Sequence, residues 1–348
     1  MLGIRAFRSI QQTPGRIICM TRPPAAAFFG LSSCREKSTS SAKGKSKDKE
    51  DNDQSKWISR KKRAKRAPEL GLDIPNIELV YGIMPVTAAI KQGRRDVHGL
   101  YVQSNYEGDM QRERLEEVIK LAEAMDVMMQ KVPKRSLDAA VENTVHQGLV
   151  LKTQRFPSPK VRDLGSFVNG QHQITFSDDS VVTYQARGKY PLWLCLDGIQ
   201  DSHNLGSIIR SALYFGVDGI ILCGERFCRP TPAVSKASAG AMECMNVFKV
   251  TKIDGVLSRA KSKGWTVVCT TTRNSSDASS VAIGELGELG SPTVLVLGSE
   301  DRGISDAILD LSDINVHISA QSETPEILDS LNVNVAASIL LSSLRMSQ

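Results

Sequence analysis

The chain has 348 residues, 41% hydrophobic and 24% charged, a composition typical of globular proteins and long enough for two domains. No apolar run approaches the roughly eighteen residues of a membrane-spanning helix, so none is predicted. Seven cysteines without a C-x-x-C pair and five scattered histidines predict neither a disulfide framework nor a metal site.

The formal net charge of +6 is unevenly distributed along the chain. Of the 44 basic and 38 acidic residues, the first 67 positions hold 17 and 5, which leaves 27 and 33 in the remainder. The alkaline isoelectric point therefore comes from the start of the chain, and the remainder is acidic. Any nucleic-acid binding by that remainder must depend on local sites.

The first part of the chain reads as targeting sequence followed by linker. Residues 1–35 hold five arginines, several hydroxyl side chains and no acidic residue, which is typical of a mitochondrial transit peptide; a disordered terminus without function is the alternative. Residues 36–76 are polar and basic and are predicted to be a disordered linker. Within it, Arg60–Arg66 could be a nuclear localisation patch, an RNA-tethering arm or ordinary solvated charge.

Residues 77–155 are predicted to form a small mixed α/β domain. Its expected elements are a strand at Ile77–Tyr81, a helix over Val86–Gln92 opened by Pro85, a strand at Leu100–Val102, a helix over Arg112–Met125, and a turn leading into a strand at Val145–Leu151. Residues 156–189 show weak periodicity and are interpreted as a linker that could contain one hairpin.

From residue 190 to 348, short apolar runs alternate with helical patterns. The expected strands are Leu192–Leu196, Gly219–Leu222, Thr266–Thr270, Thr293–Leu297 and Ile314–Ile318, and the expected helices are Leu205–Phe215, Ala233–Met245, Ile253–Lys263, Ser305–Leu311 and Ser330–Arg345. This alternation predicts a largely parallel α/β sheet with ligand sites beyond the carboxyl ends of its strands. Cys195, Cys223 and Cys269 lie in or beside strands and are expected in the core.

The loop after the first of these strands carries the first candidate residues. Asn204 is suited to cap the following helix, and Arg210 lies six residues later among apolar neighbours, which suggests a guanidinium near the packed side. A surface arginine is the alternative interpretation. His203 is a possible base, although no partner for it is evident.

Two further segments carry polar or glycine patterns. Gly298 and Gly303, five positions apart behind a buried strand, indicate a loop whose backbone approaches a ligand. Ile304 occupies the position where a P-loop needs lysine, which argues against nucleotide hydrolysis, and no G-x-G-x-x-G follows any strand. Ser330 and Asn332, with a third polar residue at 334, precede an apolar helix, and capping would explain only one of them.

Together these segments resemble the three motifs of the SPOUT-class RNA ribose methyltransferases, the SpoU or TrmH group. The matching stretches are Asn204-Leu205-Gly206-Ser207-Ile208-Ile209-Arg210, Leu295-Val296-Leu297-Gly298-Ser299-Glu300-Asp301-Arg302-Gly303 and Ser330-Leu331-Asn332-Val333. The pattern departs at Asn334, where the family usually has serine, and this puts only a local packing or capping hydrogen bond in doubt. The resemblance covers about 270 residues.

The resemblance implies a fold and an assembly. Residues 190–348 would be a SPOUT catalytic domain with a C-terminal trefoil knot, and residues 77–155 a ribosomal-protein-like RNA-binding domain marked by Tyr81–Val86 and His146–Gly148. It also implies a homodimer and S-adenosylmethionine as cofactor, with no metal and no membrane span.

The resemblance further assigns roles to residues. Arg210, Asn204, Glu300, Ser330 and Asn332 would be catalytic, and Leu297, Gly298, Gly303, Ile318 and Leu331 would hold the cofactor. Arg210 could act as a general base or, at lower energetic cost, as a cation that stabilises the forming alkoxide.

With the Arg-rich head and the stretch Ser235–Glu243, the chain is similar to the mitochondrial members of this family. That similarity implies 2′-O-methylation of a guanosine in the peptidyl-transferase region of mitochondrial large-subunit rRNA, on the rRNA or a pre-ribosome in the matrix. The alternatives are a tRNA ribose methyltransferase and a non-catalytic RNA-binding factor for ribosome assembly on the same scaffold.

Overall fold

The computed structural model describes residues 76–106, 109–271, 280–299, 302–320 and 330–346. The predicted transit peptide, nearly all of the predicted linker with Arg60–Arg66, and Glu300 lie outside the described residues. No described helix is long and apolar enough to cross a membrane. The described side chains contain no group of three His, Cys, Asp or Glu residues placed to hold a metal ion.

The front part of the chain forms a four-stranded mixed sheet with three helices. Its elements are β1 (Ile77–Tyr81), α1 (Ile83–Gln92), β2 (Val97–Gln103), α2 (Asp109–Ala124), β3 (Met129–Val132), α3 (Lys134–Ala140) and β4 (Leu149–Gln154). The strand order is β1-β4-β2-β3, with β4 antiparallel to both of its neighbours. The expected strands and helices are present, whereas β3 and α3 were not predicted because both are short and partly exposed.

The segment predicted as a linker is instead a three-stranded antiparallel sheet: β5 (Val161–Val168), β6 (Gln171–Phe176) and β7 (Val181–Gln185). In β6, buried His172, Ile174 and Phe176 alternate with more exposed residues, and this face packs into the core of the larger sheet. The prediction failed because β7 is mostly exposed and β5 has register shifts, which weaken the period-two pattern.

The remainder of the chain forms a seven-stranded sheet in which every neighbouring pair is parallel. Its strands are β8 (Leu192–Asp197), β9 (Gly219–Cys223), β10 (Val247–Lys249), β11 (Thr266–Thr270), β12 (Val281–Ala282), β13 (Thr293–Leu297) and β14 (Ile314–His317), in the order β10-β9-β8-β13-β11-β14-β12. The prediction of a parallel α/β sheet is confirmed. Cys195, Cys223 and Cys269 are fully buried in it, as expected.

Among the described residues, six α-helices accompany this sheet, together with a short 3-10 helix at Ile283–Glu285. The α-helices are α4 (Ser202–Tyr214), α5 (Pro232–Ala237), α6 (Ala241–Cys244), α7 (Ile253–Ser262), α8 (Asp306–Leu309) and α9 (Val333–Met346). The single helix expected over Ala233–Met245 is wrong, because Ala239 and Gly240 adopt left-handed backbone angles and divide it into α5 and α6. Helix α9 packs its buried face into the core beside α4. The connection 321–329, on which the expected trefoil knot depends, lies outside the described residues.

Candidate active site

The first candidate residue stands in the opening turn of α4. The N-cap of this helix is Asp201, whose carboxylate accepts a hydrogen bond from the Asn204 backbone nitrogen at 2.8 Å. The prediction that Asn204 itself caps the helix is therefore wrong. Because Asp201 fills that role, the Asn204 side chain can engage another part of the chain.

That partner is Asn332, at the start of α9. The Asn332 Nδ2 donates to the Asn204 Oδ1 at 3.2 Å, and the Asn332 Oδ1 accepts from the Asn334 backbone nitrogen at 3.0 Å. Asn332 thus caps α9 with its oxygen and holds Asn204 with its nitrogen. The first and third predicted motifs meet at this contact, and Ser330, two positions before Asn332, lies on the same exposed stretch.

Arg210 lies on the exposed side of α4, between buried neighbours such as Ile209 and Ala212. The expectation that its guanidinium emerges near the packed side is wrong. His203 is also exposed and, seven positions earlier, shares this face of the helix. In the described part of the chain no carboxylate pairs with Arg210, and Glu300, its expected partner, lies outside it.

The second motif forms a closed turn at the end of β13. Ser299 and Gly303 exchange two backbone hydrogen bonds of 3.1 and 2.9 Å, and the Ser299 hydroxyl accepts from the Arg302 nitrogen at 3.2 Å. A Cβ at Gly298 would lie 2.5 Å from the Ile304 nitrogen and closer still to Gly303. Only glycine fits at 298, because the turn folds back onto its own backbone.

The expected cofactor positions share the same edge of the sheet. Leu297 is the buried last residue of β13, and Ile318, just after β14, packs partly buried against the same core. No atom lies within 4 Å of the position that a Cβ would take at Gly303, and Leu331 is 47% exposed. This combination of open space beside a glycine backbone and accessible apolar surface can hold a cofactor that carries a nucleoside.

Sequence reasoning missed Asp197, the last residue of β8. Its half-buried carboxylate accepts a hydrogen bond from the Ser305 backbone nitrogen and lies near the Cys223 thiol. Burial raises the pKa of the Asp197 carboxyl, and these two hydrogen bonds act against that rise. Asp197 therefore ties the end of β8 to the chain that follows the Gly298–Gly303 turn. An acidic residue ending an otherwise apolar strand was the available signal.

The fold and this edge together define an α/β enzyme that binds its ligands beyond parallel strand ends. A family model described as SpoU rRNA Methylase family matches residues 191–342, and one described as RNA 2′-O ribose methyltransferase substrate binding matches residues 79–159. The chain belongs to the SpoU rRNA methylase family and is an RNA methyltransferase.

Relatives and solved structures agree with this family. The chain is 35% identical to the Homo sapiens protein named rRNA methyltransferase 1, mitochondrial, over 273 residues, which are 77% of this chain and 72% of that protein. The Saccharomyces cerevisiae protein of the same name is 30% identical over 298 residues, 78% of this chain and 70% of its own. A crystal structure of an AdoMet-bound rRNA methyltransferase from Sinorhizobium meliloti shares the fold, with a TM-score of 0.60, 20% identity and coverage of 83% of this chain and 94% of its own.

Proposed function

We propose that this protein transfers a methyl group from S-adenosylmethionine to the 2′-hydroxyl of a guanosine in the peptidyl-transferase region of mitochondrial large-subunit rRNA. The hydrogen bond between Asn332 and Asn204 carries the proposal, because it joins two motifs at the edge where the Gly298–Gly303 turn also lies. The relatives named mitochondrial rRNA methyltransferase 1 support the rRNA target and the mitochondrial location.

The residues at this edge fit the cofactor. Its adenosine would lie against Ile318 and Leu331, and its polar groups would meet backbone groups at Leu297, Gly298 and Gly303. When bound, S-adenosylmethionine supplies a methyl group on a positively charged sulfur. The proteins crystallised with AdoMet support this choice of cofactor.

Arg210 stabilises the negative charge that develops on the ribose oxygen as its bond to the methyl carbon forms and the carbon–sulfur bond of the donor breaks. A phosphate oxygen or water accepts the hydroxyl proton. A guanidinium keeps its proton, so a cationic role needs no unusual environment, whereas a general-base role does. Donors of this kind typically contribute about 10²–10³ in rate. Asn204, Asn332 and Ser330 orient the ribose or its phosphate by hydrogen bonds, and Glu300 orients Arg210 or the loop.

Residues 77–155 bind the RNA, and residues 190–348 carry the chemistry. The matches of the two family models support this division. The catalytic domain includes a trefoil knot at its C-terminal end, as the family resemblance implies. Its last helix, α9, packs against α4, where the Ser338 and Ser211 hydroxyls lie 2.8 Å apart.

The protein acts as a homodimer. Val335, Ile339 and Met346 lie on one face of α9 and are 43%, 37% and 86% exposed. An accessible apolar stripe beside the candidate site fits a second copy of the chain. The transit peptide over residues 1–35 directs the chain to the matrix, and the basic linker that follows contacts RNA phosphates.

The test is a map of ribose methylation across mitochondrial RNA after depletion of the protein, followed by rescue with the wild-type chain or Arg210→Ala. Loss of one rRNA guanosine mark that only the wild-type chain restores would support the proposal. A lost tRNA mark with an unchanged rRNA map would contradict the substrate, and it would agree with the 31% identical relative named putative TrmH family tRNA/rRNA methyltransferase. Restoration by Arg210→Ala would favour a non-catalytic assembly factor.

A further inference from the structure

A fully buried ion pair joins residues 77–155, called here the front domain, to the catalytic domain, residues 190–348. Arg95, in the turn between α1 and β2, donates through Nε and Nη2 to the two carboxylate oxygens of Glu243 on α6, each at 2.8 Å. Both side chains have zero exposure. Arg95 also reaches Glu78 on β1 at 3.0 Å, and Ser235 on α5 donates to Glu243 at 2.7 Å. We call these four residues the interdomain ion cluster.

Two further contacts surround this cluster. The Lys236 ammonium donates to the Gln147 side-chain oxygen at 2.8 Å, and the same oxygen accepts from the Ile83 nitrogen at 3.2 Å. Arg94 donates to the Met245 carbonyl at 2.8 Å. Two separate parts of the front domain, the turn that carries Arg94 and Arg95 and the loop that carries Gln147, therefore hold the segment that contains α5 and α6.

That segment in turn presses against the helix of the candidate site. A Cβ at Gly206 on α4 would lie 2.5 Å from the Ala237 Cβ on α5, so the two helices touch without free space between them. Gly206 lies between Asn204 and Arg210 along α4. The front domain is thereby connected to the candidate catalytic helix through a continuous series of packed contacts.

A buried ion pair is a poor source of stability, because well-packed apolar residues of similar volume do as well or better. Its bidentate geometry does impose one orientation on its partners. Resting on the function proposed above, we propose that Arg95 and Glu243 are positioning residues. They hold the front domain in one orientation relative to α4, so that an RNA bound by the front domain presents a single ribose to Arg210.

The test compares the wild-type chain with Glu243→Gln, with Arg95→Met and with the double variant Arg95→Met/Glu243→Leu. Each single variant removes one charge of the buried pair and leaves the other without its bidentate partner, whereas the double variant removes both charges. What remains of the cluster is then the neutral Ser235 hydroxyl and the partly exposed Glu78, which still faces Arg155 at 3.8 Å. Expected for the double variant are a melting temperature and S-adenosylmethionine affinity near wild type, with kcat/KM on an rRNA fragment lower by about tenfold to a hundredfold, since small misplacements of reacting groups cost this much. Its methylation should also spread to neighbouring nucleotides. A double variant that keeps wild-type kcat/KM at a single nucleotide would overturn the proposal.

A second measurement separates this proposal from the proposed function. Bio-orthogonal fluorophores at Met128 in the front domain and Val168 in β5, which are 79% and 60% exposed, report the distance between the two parts of the molecule. Labelled chains are diluted into unlabelled ones so that only distances within one chain are measured. The wild-type chain should give a narrow distribution and the double variant a broad one, whether or not the rRNA fragment is methylated. A narrow distance distribution in both chains would contradict the positioning role. If the wild-type chain gives a narrow distribution and the double variant a broad one, but the wild-type chain does not methylate the rRNA fragment, only the proposed rRNA substrate is contradicted.

Discussion

The side chains of Asn204 and Asn332 are joined by a 3.2 Å hydrogen bond across 128 positions of sequence. Asn204 lies in the first turn of α4, and Asn332 caps α9. Asn332 therefore stabilises the start of its own helix and also binds Asn204 at the edge of the sheet. The contact depends on the amide nitrogen of Asn332, while the cap depends on its oxygen. The two roles can therefore be separated by substitution.

Asn332→Asp should preserve stability and lose activity. The aspartate oxygen can still cap α9 at the Asn334 nitrogen, but at neutral pH it has no proton to donate to Asn204. Asn332→Ala should lose both roles and about 1 kcal/mol of the free energy of unfolding, a typical cost for removing a cap. Denaturant unfolding and methyl-transfer rates measure the two effects. An active Asn332→Asp would show that the contact with Asn204 is not needed.

Arg210→Ala should lower methyl transfer by about 10²–10³ while leaving the affinity for S-adenosylmethionine unchanged, because the arginine acts on charge that forms only during the reaction. Titration calorimetry and a single-turnover assay measure these quantities. Arg162→Ala is the matched control, since this arginine is half exposed in β5 and its ion pair among the described residues is with the exposed Asp179. Wild-type turnover by Arg210→Ala would remove Arg210 from the mechanism.

Gly298→Ala should abolish tight cofactor binding. The added methyl group would collide with the backbone of Gly303 and Ile304 and open the turn. Overpacking of this kind costs about 1–3 kcal/mol, which corresponds to a loss of about fivefold to 150-fold in affinity. Gly290→Ala is the control, because nothing lies within 4 Å of a Cβ there. Calorimetry with S-adenosylmethionine should show the loss only at Gly298, and equal affinities would mean that the turn does not hold the cofactor.

The protein should lose stability as the pH falls from about 6.5 to 4, in part through His172. Burial lowers the pKa of His172 from 6.5 to about 4, and its Nε2 accepts a hydrogen bond from the Trp193 indole at 3.1 Å, so the ring is neutral when folded. Between pH 6.5 and pH 4 the His172 ring binds a proton in the unfolded chain but not in the folded chain, and this difference favours unfolding. The contribution is about 3 kcal/mol once the pH reaches 4.

His172→Gln provides the comparison, because an amide retains an acceptor for Trp193 and does not titrate in this range. Unfolding free energies at pH 7.5 and pH 5 should fall less for the variant than for the wild-type chain. Identical pH dependences would assign the effect to other groups.

Ile339→Glu should convert the proposed homodimer to a monomer, because it places a charge in the apolar stripe of α9. Light scattering coupled to size exclusion measures the mass. Met125→Glu, at a 54% exposed position beyond α2, is the control and should leave the mass unchanged. A dimer that survives Ile339→Glu would place the subunit contact elsewhere.

The central sheet could be predicted from the order of the amino acids alone. Strands such as Thr266–Thr270 and Thr293–Leu297 were predicted with the bounds that the structure gives, because strands buried on both faces are continuous apolar runs between helical patterns. The family motifs are also local in sequence, so the resemblance was available before the fold. The sheet over Val161–Gln185 could have been found from Asn169-Gly170, whose left-handed angles form its first hairpin turn.

Which distant side chains meet becomes apparent in the folded chain and not before. No repeating pattern in the sequence indicates that Asn332 contacts Asn204 or that Arg95 contacts Glu243. Each contact joins two elements that are brought together by the packing of other residues. Gly240 was a local signal for the break between α5 and α6. The contact of α6 with α1, which follows from that break, had no such signal in the sequence. Local patterns reflect local burial, whereas the geometry of a site depends on the sum of long-range contacts, and this is why the motifs could be read and their arrangement could not.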